Sequence, residues 1–190
     1  YLNTSIYNPL HIERLPYQPL QHGYQLNEIA PTEEDSYFRH QRIQGYVHDM
    51  GAAMMNGISG HAGLFSNSQS LAVIMQCYLN LGYYGGREYF SSNQVRKFTG
   101  RDAEFSRRGL GFDLKELNTT DIPYVSTLSS DGTYGHQGFT GTCIWADPVN
   151  NILFIFLSNR TYPDGKINLL HKYRYRTQIQ DIIYKARMIL

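Results

Sequence analysis

Cysteine, unbalanced charge and long apolar runs are scarce in this 190-residue sequence, and each scarcity excludes a class of protein. Two cysteines cannot build a disulfide scaffold or a cysteine-rich zinc module. Seventeen Lys and Arg residues against sixteen Asp and Glu residues leave a formal charge of +1. That balance argues against a nucleic-acid partner, which needs clustered basic charge. No apolar run approaches the roughly 20 residues of a membrane span, so we expect no transmembrane segment.

The amino-acid composition is that of a packed globular chain, since 42% of the residues are hydrophobic and 14% are aromatic. Four prolines interrupt residues 1–50, which predicts an irregular stretch because proline disfavours helix and sheet interiors. Within it, Ala30–Asp35 has the residues of a helix start. The four glycines of Gly51–Ser66 predict a flexible loop.

Two helices are expected in the middle of the chain. The first is capped by Ser66 or Ser68 and ends at Gly82, because apolar residues recur between them at helical spacing. These residues are Leu71, Ile74, Met75, Tyr78 and Leu79. The second, shorter helix is predicted over Ser92–Phe98.

The pattern after Gly100 changes to strands. Arg108–Leu114 predicts one strand, and residues 116–133 predict an exposed loop. Thr142–Asp147 and Ile152–Leu157 predict an antiparallel hairpin, whose second strand is apolar throughout and is expected to be buried on both faces.

A terminal helix is predicted after Asp164 and Gly165, with its isoleucines turned to the sheet. The apolar face is formed by Ile179, Ile182, Ile183, Ala186 and Ile189. The predicted fold class is therefore α+β, an antiparallel sheet with a terminal helix. We expect a helical and loop-rich portion over residues 1–105 and the strands with the terminal helix over residues 106–190.

The segment Tyr134–Thr142 carries the sharpest chemical signal, because three glycines alternate with polar residues just before a strand. Glycine there lets a substrate lie against the backbone, and free N–H groups can stabilise an oxyanion. His136 is expected on the same face as Gly138, since side chains alternate along a strand. The alternative is a glycine-rich turn that contains an incidental histidine.

Several segments resemble the serine β-lactamase-like hydrolases, which include class C β-lactamases, DD-peptidases and related esterases. His136-Gln137-Gly138 stands where that family has its third motif, K-T-G or H-T-G, on a strand of the active site. The other similar segments are Ile29–Glu33, Val47–Asp49, Gly60–Ser66, Trp145–Pro148 and Phe156–Pro163. The sequence is also similar to modules fused behind family 3 glycoside hydrolase domains in large exported proteins, which implies a periplasmic or exported location.

The resemblance implies acyl-enzyme chemistry whose nucleophile is missing from this sequence. The family nucleophile lies in S-x-x-K, and no S-x-x-K occurs here, so we expect the C-terminal portion of a hydrolase that is inactive alone. In that portion the resemblance assigns the third-motif role to His136, an oxyanion-hole N–H to Phe139 and an open strand to Gly138. The implied partners are the missing N-terminal half, a small acyl, ester or cell-wall substrate and, through exposed apolar surface, a second copy of the chain.

The resemblance implies substrate contacts for Gln137, Thr140, His61 and Asp164. Gln137 replaces the usual Thr or Ser, and Asp164 replaces an Asn that holds a substrate carboxylate in class C relatives. An aspartate there would repel an anion. These departures favour an esterase- or amidase-like preference for neutral substrates.

The sequence leaves three alternatives open. The chain can be a non-catalytic binding or scaffolding module attached to a glycosidase. His48, Asp49, His61 and His136 can in principle hold zinc, although their spacings match no compact zinc motif and no cofactor is expected. We expect His48 and Asp49 to be a loop-stapling pair and His61 a structural or cleft-wall residue. Cys77 and Cys143 are predicted to be small buried side chains, with a disulfide between them as the other possibility.

Overall fold

A computed structural model describes residues 1–101, 106–117 and 123–189. Helices and antiparallel strands are mixed, which confirms the α+β prediction. The α-helices are α1 (Met50–Met54), α2 (Ser68–Leu79), α3 (Ser92–Thr99), α4 (Leu169–Lys172) and α5 (Tyr175–Ile189), and three short π- or 3-10 turns precede them at Asn3–Tyr7, Pro19–His22 and Leu26–Glu28. The strands are β1 (Glu33–Asp35), β2 (Gln41–Ile43), β3 (Tyr83–Tyr84), β4 (Arg87–Glu88), β5 (Asp113–Leu114), β6 (Tyr134–Gln137), β7 (Cys143–Asp147) and β8 (Ile152–Phe156). Among the described residues, none of the helices has the length and apolar character needed to cross a bilayer.

The chain divides into two compact units. The first unit contains Tyr1–Ser70, Phe139–Thr142 and Leu157–Leu169. The second unit contains Leu71–Gly138, Cys143–Phe156 and Leu170–Leu190. The predicted site residues fall in both, because the chain passes from the second unit to the first between Gly138 and Phe139.

The second unit is built on an antiparallel sheet in the order β5-β6-β7-β8. Gly135 lies opposite Trp145, and a Cβ atom at Gly135 would be 2.0 Å from the Ile144 carbonyl oxygen, so only glycine fits there. Two clusters of buried residues form its core. The first consists of Met75, Leu114, Tyr134 and Ala146, and the second of Val125, Cys143, Trp145 and Phe154.

The predicted middle helices are confirmed within a few residues. Helix α2 is capped by Asn67, whose Oδ1 accepts the Ser70 amide at 2.9 Å, and not by either predicted serine. The chain leaves α2 through Gly82, where φ is +97° and a Cβ would meet the Phe90 carbonyl oxygen at 1.9 Å. Helix α3 begins with a capping box in which the Ser91 hydroxyl accepts the Gln94 amide.

The strand predictions are right for the hairpin and partly wrong elsewhere. Strands β7 and β8 form the predicted antiparallel hairpin, in which Trp145 lies opposite Phe154. However, β8 is at the edge of the sheet, and Phe154 is its one buried residue, so burial on both faces was a wrong expectation. Strand β5 is only two residues long, with Arg108 bridging back to Asp113. The predicted loop 116–133 has neither helix nor strand where it is described, and residues 118–122 lie outside the described residues. Its predicted exposure is partly wrong, because Val125, Ser126, Ser129 and Thr133 are buried.

The terminal helix differs from the prediction in its buried face. It is split into α4 and α5, and Thr177, Gln180 and Tyr184 are its buried side chains. The predicted apolar face is instead exposed, with Ile182 at 67% and Ile189 at 85% exposure. Polar anchoring explains the difference, because the Tyr184 hydroxyl donates to the Asp147 carboxylate and Gln180 accepts the Ser126 amide.

Two expectations for the N-terminal part of the first unit were also wrong. The predicted helix start at Ala30–Asp35 is strand β1, which pairs with β2 through Glu33 and Ile43. The Asp35 carboxylate accepts the amides of the loop that joins the two strands. The loop predicted over Gly51–Ser66 contains the short helix α1, because Asp49 caps it by accepting the Ala52 amide at 2.8 Å.

Candidate active site

Three of the predicted site residues lie at the end of β6 in the second unit. His136 is opposite Ile144 of β7, and its side chain is exposed. Its Nδ1 is 3.0 Å from the carbonyl oxygen of Gln137, so the contact of this nitrogen is local. The side-chain Nε2 of Gln137 donates a hydrogen bond to the Tyr124 carbonyl at 3.2 Å. Gly138 follows Gln137, the last paired residue of β6, and is exposed. The end of β6 thus presents an accessible imidazole in a sheet that is otherwise well paired.

The next segment, Phe139–Thr142, is a turn in the first unit. Three of its carbonyl oxygens accept hydrogen bonds from Ser158 and Arg160. The Arg160 Nε donates to Phe139 O at 2.9 Å, and the Arg160 amide to Thr140 O at 2.7 Å. The Ser158 hydroxyl donates to Gly141 O at 3.0 Å. The Phe139 amide donates no hydrogen bond within the described part of the chain, which leaves it available to a ligand.

The Phe139 side chain is 69% exposed, yet two polar side chains contact its ring. The His48 imidazole stacks on it with centroids 5.6 Å apart and an interplanar angle of 22°. The Arg160 guanidinium carbon is 4.4 Å from the same ring centroid. His48 is in turn fixed by the Glu33 carboxylate, whose Oε2 is 2.9 Å from Nε2.

His61 belongs to a second hydrogen-bonded group on the glycine-rich loop. Its Nε2 is 2.9 Å from the Asp49 carboxylate, and its Nδ1 is 2.7 Å from the Ser59 hydroxyl. The Ala52 amide and His61 hold the pKa of Asp49 below its ordinary value. Because the His61 and Asp49 side chains are 57% and 45% exposed, water competes for both contacts. His48 and Asp49 therefore do staple loops, but each pairs with a different segment.

The remaining predicted substrate residues are in the first unit. Thr140 is half-buried, and its carbonyl is one of those bound by Arg160. The Asp164 carboxylate accepts the Lys166 amide at 2.9 Å and is 3.1 Å from Lys166 Nζ. These two contacts with Lys166 lower the pKa of Asp164, so it is anionic at neutral pH with a cation beside it. The negative charge that the sequence predicts is present and partly compensated.

The described histidines and cysteines form neither a metal site nor a disulfide. No group of three His, Cys, Asp or Glu side chains is placed to hold a metal ion within residues 1–101, 106–117 and 123–189. Cys77 and Cys143 are both buried and are not joined by a disulfide. Burial raises the pKa of each thiol to about 11, which keeps both protonated.

Sequence reasoning missed Glu33 and Arg160 as neighbours of the candidate site. The segments that contain Glu33, His48 and Phe139 are separated by 15 and 91 residues, and no local periodicity connects them. The available signal was the family resemblance of Ile29–Glu33 and Val47–Asp49, which marked these segments without showing their partners.

The family profile described as "Beta-lactamase" matches residues 3–175. A protein of Escherichia coli O157:H7 named "Putative D-alanyl-D-alanine carboxypeptidase" is 40% identical over 173 residues, covering 85% of this chain and 40% of that protein. A β-lactamase structure from Mycobacterium bovis has a TM-score of 0.58 at 17% identity, covering 98% of this chain and 55% of that one. Simvastatin synthase from Aspergillus terreus has a TM-score of 0.62 at 17% identity, covering 100% and 51%.

The fold class is that of β-lactamases and penicillin-binding proteins. The chain belongs to the β-lactamase family, because the family match extends over most of its length. It spans about 40% of the length of the curated relatives that it matches.

Proposed function

We propose that this chain is the C-terminal portion of a serine hydrolase that works through an acyl-enzyme. The nucleophile would be supplied by an S-x-x-K segment outside these 190 residues. In this portion His136 donates a hydrogen bond to the substrate or to the proton-transfer groups, Phe139 supplies an oxyanion-hole N–H, and Gly138 keeps the backbone open. The observation that carries the proposal is the exposed end of β6, followed at once by the Phe139 amide, which has no hydrogen-bond partner in the part of the chain that the structure describes.

We propose a neutral ester or amide as the preferred substrate. The Gln137 side-chain amide already donates a hydrogen bond to the Tyr124 carbonyl, and Asp164 is an anion. Neither side chain therefore favours a substrate carboxylate. Thr140 and His61 would line the substrate in the first unit.

A DD-carboxypeptidase activity is the second candidate. It is favoured by the names of the curated relatives and by the Lys166 ammonium, which offsets the charge of Asp164. A substrate carboxylate would then approach an ion pair and not an isolated anion.

The experiment uses the intact protein that contains this chain. Hydrolysis of a short acyl ester, a chromogenic cephalosporin and a peptide ending in D-Ala-D-Ala is compared. We expect the ester to turn over fastest, while faster cephalosporin turnover contradicts the neutral-substrate proposal and faster peptide cleavage establishes the second candidate. His136→Ala is expected to lower kcat about 100-fold. His22→Ala removes another exposed histidine and serves as the matched control, expected to be unchanged.

The wider context is also a proposal. A family 3 glycoside hydrolase domain preceding this module, an exported or periplasmic location, and a division near residue 105 all follow from the resemblance. The sequence encoded upstream tests them, because S-x-x-K followed by Y-x-N or Y-x-S supports the enzyme. The absence of these motifs would favour a non-catalytic scaffolding module. Covalent labelling of the intact protein by a fluorophosphonate or penicillin probe distinguishes the enzyme from such a module.

A further inference from the structure

The turn after β6 has an uneven distribution of hydrogen bonds. The carbonyl oxygens of Phe139, Thr140 and Gly141 are all bound by the segment Ser158–Arg160, whereas the Phe139 amide has no partner among the described residues. A turn whose acceptors are satisfied from one segment while a donor stays free is suited to binding a negatively charged oxygen.

The Phe139 residue is held through both its backbone and its side chain. Arg160 Nε fixes the Phe139 carbonyl, and the same guanidinium contacts the ring at 4.4 Å. The guanidinium is itself anchored by a 3.0 Å bond from Nη1 to the Gly165 carbonyl. His48 stacks on the ring, and the Glu33 carboxylate holds His48 at 2.9 Å.

We infer that Glu33, His48, Ser158 and Arg160 are positioning residues that clamp Phe139 so that its amide points at the developing oxyanion. We call these four residues the Phe139 clamp. The inference rests on the proposed function, because it assumes that the Phe139 amide is an oxyanion donor. Arg160 and His48 contact Phe139 directly, through its carbonyl and its ring. Glu33 acts through His48, and Ser158 acts on the same turn through the Gly141 carbonyl. All four are therefore assigned a positioning role and not a contact with the reacting atoms.

The clamp has a distinct kinetic consequence. An oxyanion exists in the transition state and not in the bound substrate, so a loosened donor lowers kcat and leaves KM nearly unchanged. Removing one oxyanion donor costs about 10²–10³ in kcat, and a donor that is misplaced but present costs less. We therefore expect losses of about 10- to 50-fold on loosening the clamp.

The test uses the intact protein and the ester that it hydrolyses. Arg160→Lys keeps the positive charge but loses the guanidinium that binds the Phe139 and Gly165 carbonyls. In this variant kcat is expected to fall about 30-fold, while KM stays within twofold of the wild-type value. The affinity of an arylboronic acid, which mimics the tetrahedral intermediate, is expected to fall by the same factor. His48→Ala should behave likewise, and His48→Phe should recover part of the loss because it restores the stack.

Glu33→Gln and Glu34→Gln form a matched pair on strand β1. Glu33 holds His48, whereas Glu34 is paired with Arg42 and Tyr162 on the exposed side. Glu33→Gln is expected to lower kcat severalfold, and Glu34→Gln is expected to have no effect. Equal effects of the two substitutions, or a KM change that accounts for the whole loss, would overturn the inference.

A measurement independent of turnover separates this inference from the proposed function. The 15N order parameter of the Phe139 amide is expected to fall in Arg160→Lys while the melting temperature changes little, and an unchanged order parameter contradicts the clamp. If the wild-type protein forms no acyl-enzyme with any ester, cephalosporin or peptide, the proposed function fails and the catalytic part of this inference fails with it. If the wild-type protein acylates and Arg160→Lys acylates equally fast, the clamp alone is wrong.

Discussion

At the scale of single residues, buried carboxylates organise both units. Asp147 is 1% exposed, and its carboxylate accepts bonds from Ser130, Asn150 and Tyr184. Burial raises its pKa, but the hydrogen bonds from Asn150 and Ser130 outweigh burial and hold the pKa far below the ordinary 3.8. In the first unit, Asp35 is bound by the loop amides that follow it, and its pKa is lowered in the same way.

These depressed pKa values predict acid sensitivity. A carboxyl group with a lower pKa in the folded state binds a proton first in the unfolded chain, so its stabilisation is present above about pH 4 and is lost as the pH falls further. Asp147→Asn is expected to lower the free energy of unfolding at pH 7 by ~2 kcal/mol and to flatten its dependence on pH below 5. Urea titrations between pH 3 and 7 measure both effects. Ser130→Ala should give an intermediate slope, and a slope in Asp147→Asn as steep as in the wild type would refute the assignment.

At the scale of elements, local signals predicted the hairpin and the middle helices, while tertiary contacts decided the rest. The turn Asp147–Asn151 lies between two apolar runs, and this pattern was sufficient to place β7 and β8. Ala30–Asp35 carried a helix-start pattern, but pairing of Glu33 with Ile43 made it a strand. The buried face of α5 could not be predicted, because it follows from the distant partners Ser126 and Asp147 and not from its isoleucines.

Strand β6 offers a sharp test of local packing. A methyl group at Gly135 would lie 2.0 Å from the Ile144 carbonyl oxygen and 2.7 Å from the Trp145 ring, and a backbone atom in a paired strand cannot move aside. Gly135→Ala is therefore expected to destabilise the protein by at least ~2 kcal/mol. Gly132→Ala is the control, since its methyl group would meet Pro148 at an ordinary 3.5 Å. Thermal or urea unfolding of the two variants measures the difference, and equal stability of both would show that the close approach at Gly135 is relieved.

At the scale of the whole molecule, two apolar features of the second unit, one strand edge and one helix face, are not packed against other described residues. Strand β8 is the edge of its sheet, and the isoleucines of α5 face outward. An exposed apolar helix face and an unpaired strand edge each favour association. This observation supports the proposal that a further part of the protein, or a second copy of this chain, covers them.

The chain of 190 residues is expected to show no acyl transfer when it is produced alone. Its sequence has no S-x-x-K, and within residues 1–101, 106–117 and 123–189 the arrangement that resembles an activated nucleophile is Ser59 beside His61, which contacts Asp49. The His61 and Asp49 side chains are about half exposed, so water screens the interactions that would make the Ser59 hydroxyl nucleophilic. A fluorophosphonate probe is therefore expected to leave this chain unlabelled and, under the proposed function, to label the intact protein at a serine outside these residues. Labelling of the isolated chain that disappears in Ser59→Ala and persists in Ser66→Ala would show that the nucleophile lies within these residues.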